Sequence, residues 1–243
     1  MDHLIYTAVS GANRSLSQQQ IHSNNLANVN TSGFRGDLES ALSQQVAGSG
    51  YDSRYLVQEQ NSGVDMTPGA VRDTGRELDI AIKGNGLITV GNGNREVYTR
   101  NGQMDVSPDG DLTINGRPVI GETGPVVLPP FSDLSIGDDG TITIVPQDGD
   151  VNAAMDVDRI KLVDIPADQL SKDADGLLIS ATRNNPRSDA VEIAAGHLES
   201  SNISAISEMV SSIALNRQFE AQIKMMKAAE DLATAGNRLI RGS

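Results

Sequence analysis

The residues able to do chemistry are few and scattered. His3, His22 and His197 are the only histidines, and none stands at a ligand spacing from another or beside a nucleophile motif. With no cysteine in 243 residues, disulfides, thiolate metal sites and cysteine nucleophiles are excluded together. Carboxylates crowd near glycine at Asp109, Asp139 and Asp148, which invites a calcium reading. An EF-hand loop needs oxygen ligands at alternate positions, a sixth-position glycine and a distal glutamate, and none of these turns supplies the set. Gly84-Asn85-Gly86 and Gly91-Asn92-Gly93 are similar to phosphate loops only superficially, because strand-like sequence follows where a helix N-terminus is required. Thr31-Ser32 has no base partner and sits where a helix should end. The expectation is a chain with no catalytic residue, no cofactor and no metal site.

Composition removes further classes. Aromatic residues are 3% of the chain, with no Trp and only Phe34, Phe131 and Phe219 as phenylalanines, so an aromatic-lined ligand pocket has little to be built from. A net charge of −13 and a pI near 4.5 repel phosphate backbones, which argues against nucleic acid as a partner. Apolar runs such as Ile142 to Val145 fall far short of the roughly 20 residues that span a bilayer, so no membrane insertion is expected. Met1-Asp2-His3-Leu4 has neither the basic start nor the apolar core of a secretory signal. If the protein works outside the cytoplasm, it leaves without a cleaved signal peptide.

With so little chemistry to position, the elements themselves become informative. All nine prolines fall between Pro68 and Pro186, which permits long helices at both ends, since proline costs a helix interior about 3 kcal/mol. Near the C-terminus, Ile206, Met209, Ile213, Phe219, Ile223, Met226, Ala233 and Ile240 recur at steps close to three and a half residues, a coiled-coil-like stripe. Glu220 lies four residues before Lys224, the favoured order for a helical ion pair. A helix from about Ser200 to Leu239 is expected there. Near the N-terminus, Ile5, Val9, Ala12 and Leu16 open a second stripe that continues through Gln19 and Ser23 to Leu26, and Asn28 to Gly33 should end it. Neither one-faced helix can bury its stripe alone, so the two pair with each other or with other subunits.

The middle reads as β-structure. Eight Asn-Gly or Asp-Gly pairs lie there, from Asn85-Gly86 to Asp175-Gly176 and including Asp148-Gly149, and such pairs favour tight hairpin turns. Between them run Leu78 to Ile82, Leu87 to Val90, Leu112 to Ile114, Thr141 to Val145 and Arg159 to Val163, short apolar or alternating segments. The expected fold is α+β: paired N- and C-terminal coiled-coil-like helices with a central antiparallel all-β domain. Its segments would be 1–35 for the N-terminal helix and end motif, 36–77 for an extended connector, 78–190 for the β-rich domain and 191–243 for the C-terminal helix. Charge divides similarly. One aspartate faces two arginines in residues 1–35 and five acids balance five bases in 197–243, so nearly the whole negative charge falls on the middle. Neutral helices suit dense self-association, and an acidic domain suits solubility.

Specific motifs then carry a resemblance. Asn24-Asn25-Leu26-Ala27-Asn28-Val29-Asn30-Thr31-Ser32-Gly33-Phe34-Arg35 resembles the N-terminal signature of flagellar rod and hook proteins, and Ser10-Gly11 fits the same pattern. Leu198-Glu199-Ser200-Ser201-Asn202-Ile203, with Glu208-Met209-Val210 and Arg217-Gln218-Phe219-Glu220, resembles that family's C-terminal signature. Tyr98-Thr99-Arg100-Asn101-Gly102 and Gly116-Arg117-Pro118-Val119-Ile120-Gly121 look like its shared β-domain. Within the family, the opening residues and Asp65-Met66-Thr67-Pro68-Gly69 look most like a proximal rod subunit; a distal rod subunit is the alternative, and a secreted tubular adhesin is a rival outside the family. The resemblance implies a structural subunit exported by the flagellar type III apparatus and assembled helically in the periplasm with copies of itself and other rod proteins. It implies an inner layer of terminal helices around an export channel, an outer β-domain, and transmission of torque. Ile5, Val9, Ala12, Leu16 and Leu26 on one helix, and Ile206, Met209, Ile213, Phe219, Ile223 and Met226 on the other, are the expected assembly residues.

Overall fold

A computed structural model describes residues 2–45, 55–147, 153–173, 175–182 and 184–242. The Asp148-Gly149 turn and the side chain of Ile240 lie outside the described residues. The chain has a helix at each end, α1 (Asp2–Ala27) and α2 (Ala205–Arg241), with antiparallel strands between them, an α+β fold. Two compact units divide it. One holds residues 1–27, 37–62 and 204–243; the other holds 28–36 and 63–203.

In the helical unit, α1 and α2 run antiparallel. His22 meets Glu208 at 2.5 Å near one end, and Gly11 lies against Gln222 further along. Ala8, Ala12 and Ser15 are buried on α1, and Leu215, Gln222 and Ala229 on α2. Small residues predominate at this contact because they let two backbones approach. A Cβ added at Gly11 would stand only 2.6 Å from the Gln222 amide nitrogen. A two-stranded ribbon, Asp37–Gln45 with Tyr55–Val64, supplies most of the rest. The buried Asn25 joins α1 to it: the Asp37 amide donates to Asn25 Oδ1 at 3.0 Å, and Asn25 Nδ2 donates to the Asp37 carbonyl at 3.3 Å.

The second unit is built on a five-stranded antiparallel sheet whose strands pair in the order Leu162–Val163, Leu87–Asn92, Arg95–Thr99, Leu178–Ser180, Leu170–Lys172. Side chains alternate across a strand, and both faces here are covered. Ile88, Val90, Val97 and Leu162 enter a large core, which also takes in Leu112, Ile142, Ile144 and Ile193. Leu87, Tyr98, Val163 and Leu178 enter a smaller one on the other face. The run Arg159 to Val163 is split, since Met155–Arg159 pairs with Thr141–Pro146 while Leu162–Val163 pairs with Leu87–Asn92. Turn chemistry sets the hairpins. Ile114 faces Arg117, and the intervening Asn115-Gly116 has positive φ at both residues, 51° and 74°, the geometry of a two-residue type I′ turn. Asp139 accepts from the Thr141 amide at 3.1 Å and hydroxyl at 2.9 Å and pairs with Arg159 at 2.9 Å, interactions that hold its carboxyl below the ordinary value, led by the Thr141 amide.

Late strands close this unit on early ones. Glu192–Ala195 pairs with Ile80–Lys83, and His197–Glu199 pairs with Val71–Asp73. Strands within 37–77 and 191–199 thus extend pairing beyond residues 78–190. If the large core carries stability, Ile142→Ala, at a fully buried position, should cost about 2–5 kcal/mol. Denaturant unfolding, followed by a probe in the β unit, measures this directly.

Candidate assembly surface and the buried ionic clasp

The end motif leaves α1 and enters the β unit. Asn28 stops the helix locally, its carbonyl accepting from the Thr31 amide at 3.1 Å and its side chain from the Thr31 hydroxyl at 3.1 Å. Gly33 follows with φ +66°, and its amide donates to the Glu199 carbonyl at 2.7 Å. No side chain fits there: a Cβ on Gly33 would stand 2.2 Å from the backbone of Arg100 and Asn101. Phe34 lies under the Lys172 ammonium, 4.0 Å from the ring centroid, and Lys172 also donates to the Arg35 carbonyl at 2.5 Å.

Arg35 then enters a buried ionic clasp. Its Nη2 donates to Glu199 Oε1 at 2.6 Å, while Arg100 donates to Glu199 Oε2 through Nε and Nη2, both at 2.8 Å. The Arg35 and Glu199 side chains are each 1% exposed, and that of Arg100 is 2% exposed. Two cations on one carboxylate leave an excess positive charge, and backbone dipoles take it up. Arg100 Nη1 donates to the Gly84 and Gly86 carbonyls, each at 2.9 Å. Burial pulls the Arg35 guanidinium below its ordinary value, Glu199 opposes that, and Arg100 adds to it. Glu199 Oε1 also accepts from the Gly69 amide at 2.8 Å, so one carboxylate ties four segments together. Beside it, Asn202 accepts from the Gly36 amide at 2.9 Å and donates to the Asp65 carbonyl at 2.9 Å. Within the end motif, Asn25, Asn28, Gly33, Phe34 and Arg35 therefore have defined structural contacts. Arg100 and Glu199 lie 65 and 164 positions from Arg35, a spacing with no local signal.

The predicted helix residues are distributed differently. On α1, Ala12 is buried, Ile5 and Leu26 are half-buried, and Val9 and Leu16 are exposed. On α2, Phe219 and Met226 are half-buried, while Ile206, Met209, Ile213 and Ile223 are exposed, Ile206 at 73%. Asn24 and Ala27 are also exposed. The chain itself leaves most of the large side chains in these stripes uncovered. Glu96, Lys161, Arg187 and Asp189 line a polar cleft in which Lys161 Nζ donates to both Glu96 oxygens at 2.7 and 2.8 Å and Arg187 pairs with Asp189.

A β unit with its own apolar cores, together with helices that expose apolar stripes, fits a structural subunit. Family models match at three places: Flagella basal body rod protein at residues 5–35, Flagellar hook protein FlgE/F/G D1 domain at 81–144, and Flagellar basal body rod FlgEFG protein C-terminal at 194–239. The chain is 38% identical to flagellar basal-body rod protein FlgF of Escherichia coli K12 over 248 aligned residues, covering 99% of each chain. It is 37% identical to FlgF of Salmonella typhimurium with the same coverage, and 27% identical to FlgG of Bacillus subtilis over 94% of this chain and 95% of that one. The chain belongs to the flagellar basal-body rod protein family. It is a structural protein of the rod, not an enzyme.

The clasp makes two predictions. Glu199→Gln leaves two buried guanidinium groups on a neutral amide and should destabilise the β unit by about 3–5 kcal/mol in urea unfolding. Gly33→Ala should lower the same midpoint, because a methyl must displace the Arg100-Asn101 backbone. A midpoint unchanged in both variants would show that the motif is not part of this unit's fold.

Proposed function

We propose that the chain is a proximal rod subunit that leaves the cytoplasm through the type III export apparatus without a cleaved signal peptide and assembles helically in the periplasm. In this proposal α1 and α2 form a coiled-coil pair in the inner layer that walls the export channel, and the β unit lies in the outer layer. The stack transmits torque. Copies of the same chain and other rod proteins are its neighbours. The relatives named FlgF support the proximal position over the distal one, since the FlgG relative is less similar.

One observation carries the assembly reading: large apolar side chains repeat along both helices where no described residue covers them. A lone exposed leucine needs no explanation, but a repeated stripe does. Ile213 and Ile223 are 55% and 42% exposed in the single chain, so a polar residue at either costs the isolated subunit little. In an assembled contact the same change forfeits about 1.5–3 kcal/mol of aliphatic burial and adds desolvation of an unpaired charge, once per subunit.

Ile213→Asp with Ile223→Asp should therefore give soluble, exported protein whose β unit melts within about 1 kcal/mol of the parent, in cells that do not swim and lack rod beyond this subunit. Normal swimming by the double variant would remove the helices from the contact. Unfolding of the β unit would instead mean that helix and β unit share one core.

A further inference from the structure

The Asn-Gly pairs that mark the hairpins also carry a reactivity of their own. In such a pair the main-chain nitrogen of glycine can attack the asparagine Cγ, because glycine has no Cβ to obstruct the approach. A bond from that nitrogen to Cγ forms and the bond from Cγ to the side-chain nitrogen breaks. The main-chain amide proton passes to base in the solvent, and the departing side-chain nitrogen takes one back and leaves as ammonia. The resulting five-membered succinimide adds water at one of its two carbonyls and opens to aspartate or to isoaspartate. Asparagine must rotate toward the next amide for this to happen, so a pair reacts only as fast as its surroundings let it move. Four Asn-Gly pairs lie in the chain, and the fold holds them very differently.

Two are locked. Asn101 is buried, its Oδ1 accepts from the Gln103 amide at 3.0 Å, and its own amide donates to the Thr99 hydroxyl at 3.0 Å. Gly102 lies flush against the core residue Ile80: its carbonyl accepts from the Ile80 amide at 3.1 Å, and a Cβ on it would stand 1.7 Å from the Ile80 carbonyl oxygen. Asn85 is exposed, but the peptide groups around it are not free to turn. Arg100 Nη1, from the clasp, donates to the carbonyls of both Gly84 and Gly86 at 2.9 Å, and Gly86 is buried against the Val191 side chain.

The other two sit at hairpin tips. Asn92 is half-buried, and its backbone is held in the strand ladder opposite Arg95. At Asn115-Gly116 both residues form the turn itself, since Ile114 and Arg117 are the paired positions. Both are exposed, a Cβ on Gly116 would meet nothing within 4 Å, and the Asn115 side chain has no hydrogen-bond partner among the described residues. The strands this turn joins are only three and two residues long, so opening the tip disturbs little of the unit.

We propose that Asn115-Gly116 is the site of spontaneous conversion in this chain, with aspartate and isoaspartate as products, and that the packing around Arg100 shields Asn85 and Asn101. Conversion adds a negative charge to the part of the chain that already carries nearly all of the net −13. Isoaspartate also lengthens the main chain by one methylene, so the two-residue tip no longer matches the Ile114–Arg117 pairing. This hairpin is therefore the first part of the β unit to change as the protein ages.

The full-length chain would be incubated at mildly alkaline pH, once folded and once in urea, and the four pairs followed by peptide mapping and mass spectrometry, with fragmentation separating isoaspartate from aspartate. In the folded chain Asn115 is expected to convert first, about tenfold or more ahead of Asn85 and Asn101. In urea the four rates should draw together, because only the shared dipeptide remains. Asn115→Gln should remove the early product and leave the other three rates as they were. Equal rates in the folded chain, or earlier conversion at Asn85, Asn92 or Asn101, would overturn the assignment. A lead for Asn115 that persists unchanged in urea would also overturn it, since the order would then come from local sequence and not from the fold.

Discussion

The Glu199 carboxylate is the point on which the β unit closes. It binds Arg35 from the end of the N-terminal motif, Arg100 from the middle of the sequence and the amide of Gly69, and the three charged side chains are at most 2% exposed. Buried ion pairs are poor sources of net stability, because desolvating the charges consumes most of what their attraction returns. Their strength lies in what they forbid. Once two guanidinium groups are buried, every arrangement that fails to bring Glu199 between them is penalised by unpaired charge in a low dielectric. The clasp therefore fixes which loop meets which strand, and apolar contacts in the two cores supply the cohesion.

That constraint also explains the composition of the motif around it. Arg35 reaches Glu199 only if the chain turns sharply after α1 and then runs flush against the Arg100-Asn101 backbone. Asn28 and Thr31 make the turn by local side-chain bonds, and Gly33 supplies the close approach that no Cβ allows. Phe34 is held by Lys172, and Asn202 seals the exit by bonding both Gly36 and Asp65. Each residue type answers a geometric demand made by the buried charge.

Much of this was legible in the sequence where the physics is local. Proline exclusion marked both helices, and Asn-Gly pairs marked hairpins such as the turn at Asn115-Gly116, because each acts within a few residues. The clasp was not legible as a contact, since Arg35, Arg100 and Glu199 meet only after the strands have paired. The face by which the helices touch was obscured for a different reason. Hydrophobic periodicity singles out Val9, Ala12, Leu16, Ile213 and Ile223, whereas of these only Ala12 is buried, beside Ala8, Gly11 and Ser15 on α1 and Leu215, Gln222 and Ala229 on α2. Close backbone approach favours small side chains, so apart from Leu215 the interface carries a weak signal on a hydropathy scale.

This separation has an energetic logic. An interface made largely of alanine, serine and glycine, with Leu215 and Gln222, holds two helices close but buries modest apolar area, about 0.8 kcal/mol for each methylene-sized group. The β unit has its own apolar core, with Ile80, Ile88, Leu112, Ile142 and Ile193 all essentially inaccessible. A chain that spent its large aliphatic residues between α1 and α2 would form a stable isolated hairpin with nothing left to offer a neighbour. With mostly small residues at the contact and large ones such as Ile206, Ile213 and Ile223 exposed, the helices keep much of their apolar surface uncovered, and the assembly proposed above would bury it against neighbours.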